Sequence, residues 1–327
     1  MKFSITIPAY KRKYLKEAMA SVLAQTYQDY ELIIVDDCSP EDLRSVVGQF
    51  KDSRIRYYRN DKNCGAENVV DNWNICLGYC TGEWVICMGD DDLLMPDCLE
   101  EYAKSIIVHP ELDVFHTRVR QIDEEGNLIR LCQDRPEISS AYGNIIHYLE
   151  GRHQYIVDFC FNVDRLRREG GYYKVPYAWG SDNLTAFIVG TPKGVYNIQK
   201  PTCCYRVNRY SIGRSGGDRI KLKAILMAEK WLRKYVSDQT PRNEFDKDEL
   251  ETILYLIPDY LRNFQCFHIS HDIMANRSAI FYWLRECRQY RVSRCQVLKL
   301  AIKVFFKKKA TAYELLKSKS ECNYTRI

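Results

Sequence analysis

Two apolar periodicities alternate over the first ninety residues of this chain, and no other feature narrows its fold as much. Phe3–Ile7, Tyr30–Val35, Ile55–Tyr58 and Glu83–Met88 read as strands. Between them, Tyr14–Gln25, a stretch running to about Phe50, and Gly65–Tyr79 read as helices, with Leu15, Ala18, Met19, Val22 and Leu23 recurring at helical spacing in the first. The second opens on Ser39-Pro40-Glu41-Asp42, a Ser cap followed by Pro and acids. Such alternation predicts an α/β protein with a mostly parallel sheet, because a parallel crossover needs a helix-sized connection that covers a sheet face.

In a sheet of this kind ligands bind outside the carboxyl ends of the strands. Three polar clusters fall there: Pro8-Ala9-Tyr10, Asp36-Asp37 and Asp90-Asp91-Asp92. Mg²⁺ or Mn²⁺ binds through one or two carboxylates plus substrate phosphates, so the triplet suffices for a cation that carries a nucleoside diphosphate. Read alone, the triplet is equally a cap for a helix led by Pro96. Convergence of three clusters on one edge favours the nucleotide-phosphate site. A dehydrogenase-type dinucleotide site is disfavoured, because no G-x-G-x-x-G follows the first strand.

At 327 residues and 46% hydrophobic, the chain has the material for one large domain with an appendage, or for two domains. Met1 to Pro8 reads directly as a strand, not as a secretory leader, and no apolar run reaches the length of about 18 residues that a spanning helix needs. None of the fourteen cysteines forms a C-x-x-C pair, which suits reduced thiols in the cytoplasm. His268 and His271 could share a helical face, but with no third ligand nearby they read as packing or surface residues. From about Asp113 the pattern loosens, with Val114–Arg120 and Leu128–Leu131 strand-like around the turn at 123–127. Past Gly216-Gly217-Asp218 the signals turn helical, which places a domain boundary there.

Residues 271–327 hold 13 Lys and Arg against 4 Asp and Glu, so the tail carries the positive charge and the remainder is slightly acidic. Within it Lys299, Lys303 and Lys307 form one stripe of an otherwise apolar helix, followed by Lys308 and Lys309. That pattern fits a helix lying on anionic lipid, and equally a packed terminal helix with a solvated lysine face. Nucleic acid is not expected as a partner, since the basic residues lack a docking motif.

Several ordered motifs resemble the family 2 glycosyltransferases, inverting enzymes of GT-A fold. They are Ile5-Thr6-Ile7-Pro8-Ala9-Tyr10, Ser21-Val22-Leu23-Ala24-Gln25-Thr26-Tyr27, Glu31 to Ser39, Asn63-Cys64-Gly65, Gly82-Glu83-Trp84-Val85, the acidic triplet and Pro96 to Glu100. The likeness continues more thinly through Gly170-Gly171-Tyr172, Gly180-Ser181-Asp182 and Tyr205-Arg206-Val207-Asn208. It implies a GT-A domain over residues 1–217, with a nucleotide-binding half at 1–112 and an acceptor-side half at 113–217. The basic helical region at 218–327 lies outside the likeness.

The resemblance also implies roles. Pro8 and Tyr10 would line base and ribose, Asp37 would accept from a uracil-type base with Asp36 assisting, Asp91 would hold Mg²⁺ or Mn²⁺, and Asp90 would meet the ribose or a metal-bound water. Asp92 would orient its neighbours, Asp182 would be the catalytic base, and a loop carrying Arg206, Arg209 and Arg214 would close over the diphosphate. This chain departs from the family's pattern at three places: Gly89 stands at the first acid of the D-x-D, Asn72-Trp73-Asn74 replaces an Ala-Arg-Asn run, and Ser181-Asp182 replaces an acidic pair. The implied activity is metal-dependent transfer of a sugar, from a UDP-sugar by preference, to a hydroxyl of a saccharide or lipid-linked saccharide, in surface polysaccharide synthesis. The expected setting is the cytoplasm, with peripheral contact to the inner membrane face through the basic C-terminal helices. A sugar nucleotidyltransferase and a non-catalytic nucleotide or carbohydrate binder are the competing readings. The first would be expected to carry a Gly-rich loop after strand one, where this chain has Pro8-Ala9-Tyr10-Lys11-Arg12.

Overall fold

The structure, a computed structural model, describes residues 1–208 and 217–306. Arg209, Gly213, Arg214 and Gly216 of the expected lid, and Lys307 to Lys309, lie outside the described residues. Ten strands form one sheet: β1 (Phe3–Ala9), β2 (Tyr30–Asp36), β3 (Ile55–Arg59), β4 (Trp84–Cys87), β5 (Leu93–Leu94), β6 (Val114–Ile122), β7 (Leu128–Leu131), β8 (Ile138–Ser139), β9 (Phe159–Asn162) and β10 (Val195–Arg206). The helices are α1 (Leu15–Leu23), α2 (Leu43–Val47), α3 (Val69–Tyr79), α4 (Cys98–Val108), α5 (Ala141–Leu149), α6 (Val163–Arg168), α7 (Ser181–Gly190), α8 (Asp218–Asp238), α9 (Glu244–Ala275), α10 (Ala279–Glu286) and α11 (Arg294–Phe306).

The sheet runs in the order β3-β2-β1-β4-β9-β6-β10-β5, with β7 added to β6 and β8 to β10. β3, β2, β1 and β4 are mutually parallel, as helix-length connections require. Beyond β4 the sheet is mixed: β9 is antiparallel to both β4 and β6, whereas β6 and β10 are parallel. Successive side chains of a strand face opposite sides, and the core divides accordingly. Leu32 and Ile34 of β2 and Trp84 and Ile86 of β4 join the core under α1 and α4, whereas Ile33, Val35, Val85 and Cys87 join Val70, Trp73 and Cys76 of α3.

The chain divides into two compact units, Met1–Ser215 with Thr240–Ile253, and Gly216–Gln239 with Leu254–Ile327. The sheet belongs to the first. The second has its own core around Trp283, Tyr290, Ile269, Ile273 and Val297. There Nδ1 of His268 and Nδ1 of His271 each lie 2.8 Å from one oxygen of Asp218, so the two histidines share a carboxylate.

Two local starts differ from the sequence reading for a visible reason. Asp42, not Ser39, caps α2, accepting from the Ser45 N–H at 3.0 Å. Ser39 instead donates to the Tyr10 carbonyl at 2.6 Å and accepts from the Glu41 N–H, so it joins the end of β1 to the loop after β2. The Pro96-led helix α4 begins after Asp97, and none of Asp90, Asp91 or Asp92 caps it.

Glu31, buried within β2, fastens the parallel half together. Its oxygens accept from the Ser4 hydroxyl (2.7 Å), the Thr81 N–H and hydroxyl (2.6 and 2.8 Å) and Arg56 Nη1 (2.6 Å), reaching β1, β3 and the turn before β4. Gly82 follows in that turn because a Cβ there would lie 2.7 Å from the Lys2 carbonyl and 2.8 Å from Ser4 Oγ. Burial alone would raise the Glu31 carboxyl, but these donors outweigh it and hold it at about 2. Its stabilising effect is therefore complete above the ordinary carboxylate range and fades as pH falls through about 2. Replacing Glu31 with Gln should cost more than about 2 kcal/mol at pH 7, because it leaves buried donors unmatched. Urea unfolding of parent and variant should show that gap narrowing as the pH is lowered from 5 toward about 2.

Candidate active site

The carboxyl ends of β1, β2 and β4 bring Tyr10, Asp37 and the acidic triplet to one edge of the sheet, as parallel pairing demands. Each acid of the triplet is held differently. Asp90 Oδ2 accepts the backbone N–H groups of Tyr10 and Lys11, both at 2.7 Å, which staples the exit of β4 to the exit of β1. Asp91 Oδ2 accepts from Asn208 Nδ2 at 2.5 Å. Asp92 accepts the Arg206 N–H at 3.0 Å and the Gly89 N–H at 3.1 Å. Asp90 Oδ1 and Asp91 Oδ1 accept no hydrogen bond from any described residue.

Burial raises all three carboxyls, and the charge of Asp91 adds to the rise of both neighbours, taking Asp90 to about 6. The corner is thus rich in mutually repelling carboxylates that a cation would relieve. Gly89 explains the missing first acid in spatial terms. A Cβ at that position would come within 2.7 Å of Asp91 Oδ1 and 3.1 Å of Asp92 Oδ2, so those carboxylates occupy the room a side chain would need.

Pro8 is partly buried at this edge, and Tyr10 is exposed, its ring available as a platform. Asp37 is buried and held by Asn60 Nδ2 at 2.9 Å and the Cys64 N–H at 3.0 Å. Asp36, expected to assist at the nucleotide, is instead fully buried: Oδ1 accepts from the Ser39 N–H at 2.7 Å, and Oδ2 takes the Tyr57 hydroxyl at 2.6 Å and pairs with Arg59. It shapes the loop and does not face the edge. Arg206 is likewise no lid residue. It ends β10, is buried over the Tyr14 ring, and donates from Nε to the Asp91 carbonyl at 2.9 Å, from Nη1 to the Glu124 carbonyl at 3.0 Å and from Nη2 to Glu17 at 2.8 Å.

Asn208 carries no role in the sequence reading, and it stands just past the end of β10, where no periodicity marks it. Its side chain and that of Arg206 both reach Asp91. Asn74, the last residue of the run that departs from the family pattern at its first two positions, is a brace. It donates to the Tyr172 carbonyl at 3.1 Å and accepts the Tyr172 N–H at 2.8 Å, so close that a Cβ on Gly171 would meet its Oδ1 at 2.3 Å.

Asp182 lies in the first turn of α7, after Gly180 in left-handed conformation at φ 102°. It is half-buried, and burial pushes its carboxyl up to about 7 against the N–H and amide bonds of Asn183, with the charge of buried Asp158 adding to the rise. Tyr205 connects the two acidic regions. Its hydroxyl is raised by burial and then by the fields of Asp92, Asp91 and Asp182, and its ring stacks on Tyr155 at 3.8 Å. Tyr205 thus stands within range of both the Asp182 carboxyl, raised to about 7, and the acidic corner, the pair of properties that general-base and Lewis-acid chemistry require.

Among the described residues no group of three His, Cys, Asp or Glu side chains is disposed to hold a metal by itself. The unclaimed oxygens of Asp90 and Asp91 nevertheless suit a hard divalent ion that completes its shell with phosphate oxygens and water. That donor chemistry fits Mg²⁺ or Mn²⁺ and not a soft metal.

Residues 4–163 match the family described as Glycosyl transferase family 2. The UDP-Glc:alpha-D-GlcNAc-diphosphoundecaprenol beta-1,3-glucosyltransferase WfgD of Escherichia coli is 34% identical over 98 residues, 30% of this chain and 38% of that protein. The aligned stretch spans 41% or less of the first curated relatives' own lengths. Among solved structures, S. aureus TarS in complex with UDP-GlcNAc shares the fold at TM-score 0.62 and 16% identity, over 78% of this chain and 72% of that one. The mannosyltransferase PcManGT of Pyrobaculum calidifontis, in complex with GDP-Man and Mn²⁺, superposes at TM-score 0.52 and 17% identity over 94% and 88% of the two chains. Residues 4–163 are thus a glycosyl transferase family 2 region, and the sheet that contains them has the fold of solved glycosyltransferases.

Proposed function

We propose that this chain is an inverting glycosyltransferase that moves a sugar from a UDP-sugar to a hydroxyl of a saccharide or lipid-linked saccharide, in surface polysaccharide synthesis. The observation that carries the reading is the pairing of the crowded triplet at the strand ends with Asp182, whose carboxyl sits at about 7. The relatives named for UDP-Glc and UDP-GlcNAc favour uridine, and the diphosphoundecaprenol acceptor of WfgD favours a lipid-linked saccharide.

In this reading Tyr10 and Pro8 receive the nucleoside, and Asp37 accepts from the base edge. Asp91, with Asp90 beside it, would hold Mg²⁺ or Mn²⁺, which supplies Lewis-acid neutralisation of the diphosphate charge. Asp92 and Arg206 keep Asp91 in place through its neighbours and its carbonyl. Asp182 takes the proton of the acceptor hydroxyl as its oxygen attacks the anomeric carbon, and the nucleoside diphosphate leaves from the opposite face. Arg209 and Arg214 stay assigned to closure over the diphosphate.

We further propose peripheral contact with the inner membrane face by the second unit. No helix of the described residues is long and apolar enough to cross a membrane. α11 exposes Leu298, Ile302, Phe305 and Phe306 together with Lys299 and Lys303, and α10 exposes Phe281. Apolar side chains set among lysines suit an anionic lipid surface.

Three measurements test these readings. UDP release from UDP-glucose or UDP-N-acetylglucosamine, with an alkyl-diphosphate-linked N-acetylglucosamine as acceptor, should rise with pH through about 7 as Asp182 ionises. Asp182→Asn should lower kcat by roughly 10²-fold or more with UDP affinity unchanged, and turnover at parental rate in that variant would end the assignment. In thermal shift, Asp91→Asn should be more stable than the parent without metal by about 1 kcal/mol, because a buried like charge is gone, and should lose the added shift that Mn²⁺ brings to UDP. In flotation, the full chain should rise with phosphatidylglycerol vesicles and not with phosphatidylcholine alone, while Phe281→Asp with Ile302→Asp stays below. Equal flotation of both proteins would remove the membrane contact.

A further inference from the structure

Asp182 is not merely present at the start of α7; it is oriented. Both hydrogen bonds that it receives from side chain and neighbouring backbone go to the same oxygen: the Asn183 N–H lies 2.8 Å from Oδ1 and the Asn183 Nδ2 lies 2.7 Å from it. No other described residue donates to Oδ2. The Asn183 amide is held in turn, because its Oδ1 accepts from Gln154 Nε2. Gln154 and Asn183 are both buried, at 6% exposure each, while Asp182 is partly open. Gln154 comes from the loop between α5 and β9, so the contact joins two separate elements and does not simply extend the helix cap.

We infer that Asn183 and Gln154 are positioning residues, a two-amide relay that clamps Oδ1 of Asp182 and leaves Oδ2 as the oxygen that meets the acceptor hydroxyl. The inference rests on the reading of Asp182 as base. Its physical content is a division of labour between the two oxygens of one carboxylate. A carboxylate free to rotate about its Cβ–Cγ bond offers either oxygen in many directions, whereas one tied through Oδ1 offers Oδ2 in one. Misplacement of a reacting group by an ångström costs on the order of 10²-fold, so an orienting clamp has measurable value. Neutral amides suit the task, because they hold the carboxylate without the charge that would drive it fully ionised and weaken it as a base. The other titratable groups facing Asp182 are Asp158, in the turn before β9, and the Tyr205 hydroxyl of β10; neither donates to Oδ1.

Carboxyl ¹³C NMR of the full chain, with the Asp182 signal assigned by its loss in Asp182→Asn, tests the clamp without any substrate. In Asn183→Ala the Asp182 titration should move to higher pH, because the Nδ2 donor to the ionised form is gone while the backbone N–H remains. In Gln154→Leu, which leaves Asn183 in place but unheld, it should move the same way by less. In the UDP-release assay both variants should lose kcat, about tenfold or more for Asn183→Ala, with KM for the UDP-sugar within about twofold of the parent. Gln154→Glu, whose ionised carboxylate cannot donate and adds a like charge, should move the Asp182 titration further up than Gln154→Leu does, and Gln154→Asn should not restore the parent. Unchanged Asp182 titration and unchanged kcat in Asn183→Ala and Gln154→Leu, alongside an inactive Asp182→Asn, would overturn the relay and leave the base. An active Asp182→Asn would overturn the base itself, and the relay with it. Should Asn183→Ala fail to fold, Gln154→Leu carries the same test from outside the helix.

Discussion

Everything at the carboxyl edge of this sheet follows from the burial of three successive carboxylates in one corner. Like charges so placed raise one another and resist ionisation, and the protein tolerates them by supplying backbone N–H groups from three directions. Tyr10 and Lys11 serve Asp90, Gly89 and Arg206 serve Asp92, and the Asn208 amide serves Asp91. Those donors lie at the ends of β1, β4 and β10, so the triplet also determines how the strand ends are tied. The cost of concentrating negative charge and the stitching of the edge are the same set of contacts.

A second pattern is the use of neutral amides where a basic residue might be expected. Asn60 and the Cys64 N–H hold Asp37, Asn208 holds Asp91, and Asn183 holds Asp182. Guanidinium groups are kept for carboxylates behind the edge, Arg59 with Asp36 and Arg56 with Glu31. An amide orients an acid while leaving its affinity for protons or cations largely its own, and a guanidinium quenches it. The acids assigned to chemistry and the acids that shape the fold are separated by the kind of donor each receives.

Much of this was open to reading from the residues. The first four strands, their parallel pairing and the placement of Asp90 to Asp92 at a strand end follow from apolar periodicity alone, since period and length both discriminate there. Neighbouring acids with unlike fates were harder. Asp36 and Asp37 are adjacent and chemically identical, and what separates them is that Asp36 is paired in register with Arg59 on β3 and lies near Tyr57. Register across a parallel pair is a tertiary property that one strand's sequence does not carry. Arg206 looked like a loop residue because glycines follow it, yet β10 continues to it and the ring of Tyr14 lies beneath. Ser39 read as a cap because Ser before Pro commonly is one; its hydroxyl found the Tyr10 carbonyl, a partner distant in sequence. The relay through Gln154 and Asn183 left no signal at all, as it joins residues from different elements.

Gly89 has one more consequence. With no side chain there, the corner keeps only two oxygens unspent among the described residues, fewer than a hard dication needs to shed its water and stay. In the proposed reading, ion and nucleotide would then be mutually dependent guests. Each would raise the other's apparent affinity by the same factor, so occupancy of this site would answer to the product of the two concentrations and to neither separately.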